Sequence, residues 1–170
     1  MEFLIFSDSH GRDANVREAF RRQVRTPDAV IFLGDGLRDI DAGDFYGSTL
    51  YAVQGNCDFS PRLGDGTGVS DELILQFEGH KLLLTHGHHY HVKSGCGALL
   101  ARAVRAGADI VLFGHTHLPI SETVPSGSEI GGVAITHPIY LFNPGSIGQS
   151  GSFGTLGLRG ENVLFSHGRV

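Results

Sequence analysis

Residues 2–10 read "EFLIFSDSH", an apolar run that gives way to polar groups at Ser7. A short apolar run bounded by polar residues is typical of a buried strand, so we expect a strand over residues 2–6. Asp8 and His10 follow it directly. Because ligand sites in open α/β sheets gather at the carboxyl ends of strands, this stretch predicts both a central strand and the sheet edge that carries chemistry.

The same succession recurs further along the chain. Four more apolar runs are followed at once by polar dipeptides or tetrapeptides: 28–33 by "GD" (34–35), 49–54 by "GNCD" (55–58), 81–84 by "THGH" (85–88) and 109–113 by "GHTH" (114–117). Taken singly, an Asp or Asn after a strand is more typical of a turn, and a His of an ordinary hydrogen bond. Five such strand ends on one sheet edge indicate a shared site instead.

The remaining segments predict an α/β fold. Helical spacing indicates helices over 13–24, with Asp13 as N-cap and Val24 on the buried face, and over 97–108. Residues 71–87 are typical of a hairpin, and residues 120–138 of a loop or an extended hairpin. Short glycine-rich strands follow. We therefore expect a single domain over residues 1–170, built from two mixed β-sheets packed as a sandwich and flanked by helices.

Composition narrows the function classes. The chain has 170 residues, a net charge of −5 and no run of Lys or Arg, which argues against general nucleic-acid binding. No stretch approaches the ~20 apolar residues of a membrane span, and the N-terminus does not resemble a signal peptide. A cytoplasmic location is expected. Cys57 and Cys96 should then stay reduced, and neither belongs to a CxxC pair.

A histidine-rich stretch, "LLLTHGHHYHVK" (82–93), holds His86, His88, His89 and His91. His86 stands directly at the predicted strand end and is the candidate ligand, while His88 is near enough to face a substrate. His89 and His91 are interpreted as loop histidines or supporting groups. Three further histidines have no motif around them and receive no role: His80, His137 and His167.

The residue types indicate which ions would bind. Carboxylate oxygens, imidazole nitrogens and an amide oxygen suit divalent Mn, Fe, Co, Ni or Zn, and no cysteine is needed. There are enough candidate ligands for two ions. One carboxylate can bridge such a pair at a separation of ~3.5–4 Å and so help to clamp a phosphoryl group.

In this order, the motifs D-x-H, G-D, G-N-x-D, a histidine after a strand, and G-H-x-H resemble the calcineurin-like metallophosphoesterase superfamily. "NPGS" (143–146) also resembles a later signature of that family, and the short chain resembles its small prokaryotic phosphodiesterase branch. The resemblance implies the family's four-layer fold and two divalent ions per chain, with Mn foremost. It also implies hydrolysis of a small phosphodiester by a metal-bridging hydroxide, without a covalent intermediate.

The resemblance also implies a role for each ligand. Asp8, His10 and His117 would hold one ion. Asn56, His86 and His115 would hold the second, and Asp35 would bridge the two.

One position departs from the family pattern. Many members carry a histidine where this chain has Cys57, and that histidine acts as general acid. A thiol with an ordinary pKa of ~8.5 is a poor replacement. His88 is the candidate substitute donor, unless the leaving group departs unassisted. Asp58 is expected to orient an imidazole.

Other functions stay open at this point. The fold is shared with a retromer subunit that acts as a scaffold, but all seven ligand residues are present here. A nuclease would use the same chemistry but needs a basic groove. A cyclic-nucleotide phosphodiesterase and a homo-oligomer also remain open.

Overall fold

A computed structural model describes residues 1–130 and 132–170. In the first half, strands β1 (Glu2–Phe6), β2 (Ala29–Phe32) and β3 (Thr49–Ala52) alternate with helix α1 (Asp13–Arg21) and two 3-10 helices, Leu37–Asp39 and Ala42–Phe45. β1, β2 and β3 pair in parallel. The apolar runs of β1 and β2 are fully buried, as expected for parallel strands covered on both faces, whereas β3 at the sheet edge is partly exposed.

The second half contributes the rest of both sheets. Its elements are β4 (Glu72–Phe77), β5 (His80–Thr85), the 3-10 helix His88–Tyr90, α2 (Gly97–Ala106), β6 (Ile110–Leu112), β7 (Pro119–Val124), β8 (Glu129–Ile130), β9 (Val133–Ala134), β10 (Ile139–Pro144), β11 (Ser152–Arg159) and β12 (Asn162–Arg169). The two large sheets have the orders β12-β11-β1-β2-β3 and β4-β5-β6-β10-β7. Each contains three adjacent parallel strands, β1–β3 in the first sheet and β5, β6 and β10 in the second, and antiparallel strands extend them.

The two sheets pack face to face, with one helix on each outer face. Phe3 and Ile31 of the first sheet share a buried cluster with Leu84 and Leu112 of the second. α1 contributes to a second cluster on the outer face of the first sheet, and α2 to a third on the outer face of the second sheet. This four-layer arrangement confirms the predicted sandwich of mixed sheets flanked by helices.

Two details of the predicted helix α1 are wrong. Its N-cap is Arg12, and Asp13 is the first helical residue, where its carboxylate accepts a hydrogen bond from Arg17. The helix ends at Arg21, not at residue 24, and Val24 is fully exposed. The chain must turn before β2, and Pro27 disfavours helical backbone in the residue before it, so the last apolar position falls outside the helix.

The segment 120–138 forms an extended hairpin in its described part. β7 pairs antiparallel with β10, and the chain between these two strands forms the short β8–β9 ribbon. In the described residues, no helix is long and apolar enough to cross a membrane.

Candidate metal centre

The predicted ligands lie where strands of the two sheets end. Asp8 and His10 follow β1, Asp35 follows β2, His86 follows β5 and His115 follows β6. The two sheets present these ends to each other, as a bond from His115 N–H, after β6, to Asp8 Oδ2, after β1, illustrates (3.1 Å).

The backbone at these strand ends adopts an uncommon conformation. Seven non-glycine residues have positive φ in the described chain, and five of them are predicted ligands: Asp8 (57°), His10 (45°), Asp35 (58°), His115 (65°) and His117 (62°). Such conformations cost free energy and cluster at functional sites. The surrounding loops therefore hold the ligand side chains in directions that ordinary strand or helix backbone would not give.

Neighbouring glycines permit this crowding. A Cβ atom added at Gly55 would lie 2.1 Å from Asp35 Oδ1, and one at Gly114 would lie 1.9 Å from Ser7 Oγ. Both contacts are sterically impossible, so the "GN" and "GH" motifs need glycine for the loops to meet.

The outer cluster consists of Asp8, His10 and His117, whose ligand atoms all lie within 4.8 Å of one another. His117 Nε2 is 3.1 Å from Asp8 Oδ1 and 3.4 Å from His10 Nε2. His117 Nδ1 is hydrogen-bonded to Gln149 Oε1 at 2.9 Å, and an amide oxygen only accepts. A neutral His117 therefore carries its proton on Nδ1 and turns the lone pair of Nε2 toward Asp8.

The inner cluster consists of Asp35, His86 and His115, with ligand atoms again within 4.8 Å. His86 is completely buried, and its Nδ1 donates to the Leu33 carbonyl oxygen at 2.7 Å. Its Nε2 lies 3.3 Å from Asp35 Oδ2. A backbone carbonyl that fixes the tautomer and turns the other nitrogen into the site is the usual support of a metal-binding histidine.

Two buried atoms of these clusters lack a hydrogen-bond partner in the described chain, Asp8 Oδ1 and His86 Nε2. In addition, the carboxylates of Asp8 and Asp35 are buried without a Lys or Arg within 4 Å among the described residues, and histidines are the only basic side chains that approach them there. Buried carboxylates normally need a compensating cation. These residues therefore fit divalent ions, and the oxygen and nitrogen donors suit transition metals.

The protonation states are shaped by the same contacts. Burial lowers the pKa of His86, but the nearby carboxylates of Asp35 and Asp8 outweigh it and raise the pKa above its ordinary value. Burial raises the pKa of Asp35, yet His86 and the Cys57 N–H bring it well below its usual range. Burial, His86 and Lys93 lower the pKa of His115 to about 4. Asp35 and His115 are thus ready to bind a cation, whereas His86 must first release a proton.

Asn56 is exposed, and its amide nitrogen donates to Cys57 Sγ at 3.3 Å. Its role as a ligand stays a prediction. Cys57 Sγ lies within 4.8 Å of ligand atoms of His10 and Asp35. Partial removal of solvent and the Asp35 carboxylate raise the pKa of this thiol to about 11, so it holds its proton at neutral pH.

His88 begins the short 3-10 helix beside the inner cluster, and its ring centroid is 5.5 Å from that of His86. Burial, His89 and His86 lower the pKa of His88. Its Nδ1 is buried and unpaired in the described chain.

The sequence suggested that Asp58 orients an imidazole, but in the described chain its carboxylate contacts backbone amides instead. Its two carboxylate oxygens accept four backbone N–H groups at 2.8–2.9 Å, those of Asp35, Gly36, Leu37 and Gly55. These amides belong to the loops after β2 and β3. Because backbone N–H groups at tight turns present a ready anion site, the carboxylate ties the two loops together rather than reaching a histidine.

Sequence reasoning found "NPGS" without assigning roles within it. Asn143 Nδ2 donates to the Gly114 carbonyl oxygen at 2.7 Å, and Ser146 Oγ donates to the Asp8 carbonyl oxygen at 2.9 Å. The motif thus holds, through side-chain hydrogen bonds, the two loops that contain Gly114 and Asp8. Gln149, which supports His117, carried no signal that could have identified it from a single sequence.

The other histidines make structural contacts. His80 contacts Asp109 and His167 contacts the Asn143 carbonyl oxygen, while His89 is exposed with Asp71 4.0 Å away.

The model of the calcineurin-like phosphoesterase superfamily domain matches residues 1–159. The chain belongs to this superfamily. Among relatives of the calcineurin-like phosphoesterase domain, it is similar to the probable metallophosphoesterase YsnB of Bacillus subtilis, with 33% identity over 147 residues, 86% of this chain and 75% of the relative. It is also similar to phosphodiesterase MJ0936 of Methanocaldococcus jannaschii, with 27% identity over 136 residues, 73% of this chain and 78% of that protein.

Solved structures agree on the fold of this phosphoesterase domain. A predicted phosphoesterase from Streptococcus pneumoniae superimposes with a TM-score of 0.74 at 26% identity, over 99% of this chain and 88% of that one. The zinc complex of Vps29 from Entamoeba histolytica gives a TM-score of 0.70 at 19% identity, over 100% and 98% of the two chains. At that identity, the second likeness extends to the fold alone.

Proposed function

We propose that the protein is a dinuclear metal-dependent phosphodiesterase acting on a small phosphodiester, with residues 1–170 working as one domain. The observation that carries this is the pair of adjoining clusters around two buried, uncompensated carboxylates. Asp8, His10 and His117 would hold one cation, and Asn56, His86 and His115 the other.

The position of Asp35 supports a bridging role. Its Oδ2 lies 3.3 Å from His86 Nε2 in the inner cluster and 3.9 Å from His10 Nε2 in the outer one. Its Oδ1 is held by the Cys57 N–H at 2.7 Å. The carboxylate is therefore fixed with one oxygen toward both sets of histidines.

When bound, two divalent ions lower the pKa of a water molecule and polarise the phosphoryl group. The chain's own residues set the geometry. His86 and His117 are oriented through their Nδ1 atoms, and Asp58 holds the loop that carries Asp35. The leaving oxygen would receive its proton from His88 or depart without one, because the Cys57 thiol has a raised pKa. Aryl esters, whose leaving groups are acidic, should suit this site best.

The test is metal-dependent hydrolysis of bis(p-nitrophenyl) phosphate. Activity should vanish after chelation and return with Mn²⁺ better than with Mg²⁺, because imidazole ligands favour the transition ion. The controls are a denatured sample and, separately, a chelated sample to which excess Mg²⁺ is added. Full activity in the metal-stripped protein would contradict the proposal, as would no hydrolysis with any divalent ion.

A further inference from the structure

A cleft of about 220 Å³ opens beside the candidate metal centre. It is lined by His10, Asp35 and Cys57 of the candidate metal centre and also by Arg38 and Phe59. Pockets for drug-sized ligands occupy roughly 300–1,000 Å³. This cleft therefore has room for one ring system attached to a group held at the metal centre, rather than for a whole large ligand.

Phe59 is unusual among the residues of this cleft. It is 95% exposed, although the backbone around it is tied down. The Asp58 carbonyl oxygen accepts a bond from Gln54 Nε2 at 2.7 Å, and the Ser60 carbonyl oxygen accepts one from Arg62 N–H at 2.8 Å. The loop thus presents an aromatic ring to water from an ordered backbone, which costs apolar surface that a bound ligand could cover.

Arg38 is the cation of the same cleft. It lies in the 3-10 helix Leu37–Asp39, and no carboxylate forms an ion pair with it among the described residues. Its neighbour Asp39 is engaged elsewhere, because its Oδ2 accepts bonds from Ser9 Oγ at 2.6 Å and Gly11 N–H at 2.7 Å. A free guanidinium beside an exposed aromatic ring suits a ligand that is both planar and anionic.

The Asp58 carboxylate joins these two side chains in one unit. It accepts the Leu37 N–H from the loop of Arg38 and the Gly55 N–H from the loop of Phe59. The loops that carry Arg38 and Phe59 are therefore held relative to Asp35 by one partly buried carboxylate rather than independently of each other.

We infer that Arg38 and Phe59 form a subsite that receives a planar aromatic group carried on a phosphate ester, with the ester's phosphate at the metal centre. The aromatic group stacks on Phe59, and the Arg38 guanidinium faces the ring or its attached phosphate. The inference rests on the proposed function for the position of the phosphate, and it names the substrate class of that site.

The test is calorimetric titration of the Mn²⁺-loaded full chain. Adenosine 5′-monophosphate and ribose 5-phosphate share the sugar phosphate and differ in the base, and stacking should make the first bind roughly 5- to 100-fold tighter. Phenyl phosphate against ethyl phosphate gives the same comparison for a ring attached directly to the ester, and so distinguishes an aryl ester from a nucleotide.

Variants identify the surface responsible. Phe59→Ala should remove the preference and leave the affinity for ribose 5-phosphate unchanged. Arg38→Gln should reduce the preference more than Arg38→Lys does. Tyr46→Ala removes a ring that is 92% exposed and does not line the cleft, so it should keep the full preference.

Equal affinities within both ligand pairs would overturn the inference, as would a preference that survives Phe59→Ala or binding of none of the four ligands. The subsite and the proposed function can be tested independently of each other. A preference for the aromatic ligands without hydrolysis of any phosphodiester would leave the subsite standing and remove the enzyme, and hydrolysis without a preference would do the opposite.

Discussion

The inner and outer clusters use the same residue types but differ in depth. The His86 side chain of the inner cluster is 0% exposed and is anchored to the Leu33 carbonyl oxygen. The His10 side chain of the outer cluster is 37% exposed, and its Nε2 lies 3.4 Å from Nε2 of another histidine, His117. The fold thus encloses and orients His86 before any cation arrives, whereas His10 is partly exposed and has no comparable backbone anchor in the described chain.

This difference suggests a division of labour. A buried, preorganised cluster should hold its cation tightly. The open cluster adjoins the cleft of Arg38 and Phe59, so it should exchange its cation faster and lie on the side from which substrate enters.

The largest effect is expected at the residue that the two clusters share. Asp35→Asn removes the charge between them, and both affinities for Mn²⁺ should fall on the order of 100-fold or more, with a matching loss of kcat/KM. Metal content per chain and phosphodiester hydrolysis measure this. Glu161→Gln, in the exposed turn between β11 and β12, is the matched control. Two retained ions and an unchanged rate in Asp35→Asn would remove the bridging role.

The next change separates the two depths. His86→Ala leaves a cavity and an unpaired Leu33 carbonyl oxygen, so the metal-free protein should lose about 2–4 kcal/mol of unfolding free energy. His10→Ala, at an exposed position, should cost under ~1 kcal/mol and yet lose the outer cation. Denaturant unfolding with metal analysis reads both quantities. Equal losses of stability in the two variants would end the distinction between a preorganised and an open cluster.

A smaller effect is expected from the anchor beneath both loops. Asp58→Asn replaces one acceptor oxygen with a donor that opposes backbone N–H groups, so unfolding free energy should fall by about 2 kcal/mol. Asp35 should then be less well placed, and metal affinity should weaken roughly tenfold. Asp65→Asn in an exposed turn is the control. Unchanged stability and affinity in Asp58→Asn would show that the four amides do not depend on the carboxylate.

The smallest effect concerns Cys57, on the open side of the centre, where the family resemblance implies a general acid. Cys57→His should raise the rate on alkyl esters about tenfold, less than the 10²–10⁴-fold of a well-positioned acid, because the graft lacks supporting contacts. Nitrophenyl esters, whose leaving groups need no proton, should change little. If Cys57→Ala instead selectively destroyed alkyl ester turnover, the thiol itself would be the donor.

The sequence predicted the strands and their polar ends well because each apolar run is short and is followed within a few residues by Asp, Asn or His. The types and the spacing of the polar residues after these strands also indicated which strand ends would converge. The end of α1 was wrong because Val24 fits the helical period while Pro27 ends the helix earlier. Asp58 was assigned to the wrong kind of partner, since its partners are backbone amides, which every residue carries and no sequence pattern marks.

Depth was likewise beyond the sequence. His10 and His86 both follow apolar strands, and only the packing of the second sheet against the first decides that one is exposed and the other is enclosed.

The central claim is that two cations bind at two adjoining clusters. Anomalous diffraction from crystals of the Mn²⁺-loaded protein, collected above and below the manganese edge, tests it directly. The account predicts two peaks about 3.5–4 Å apart, one against Asp8, His10 and His117 and the other against His86 and His115, with Asp35 between them. A single peak, or peaks remote from these side chains, would contradict it.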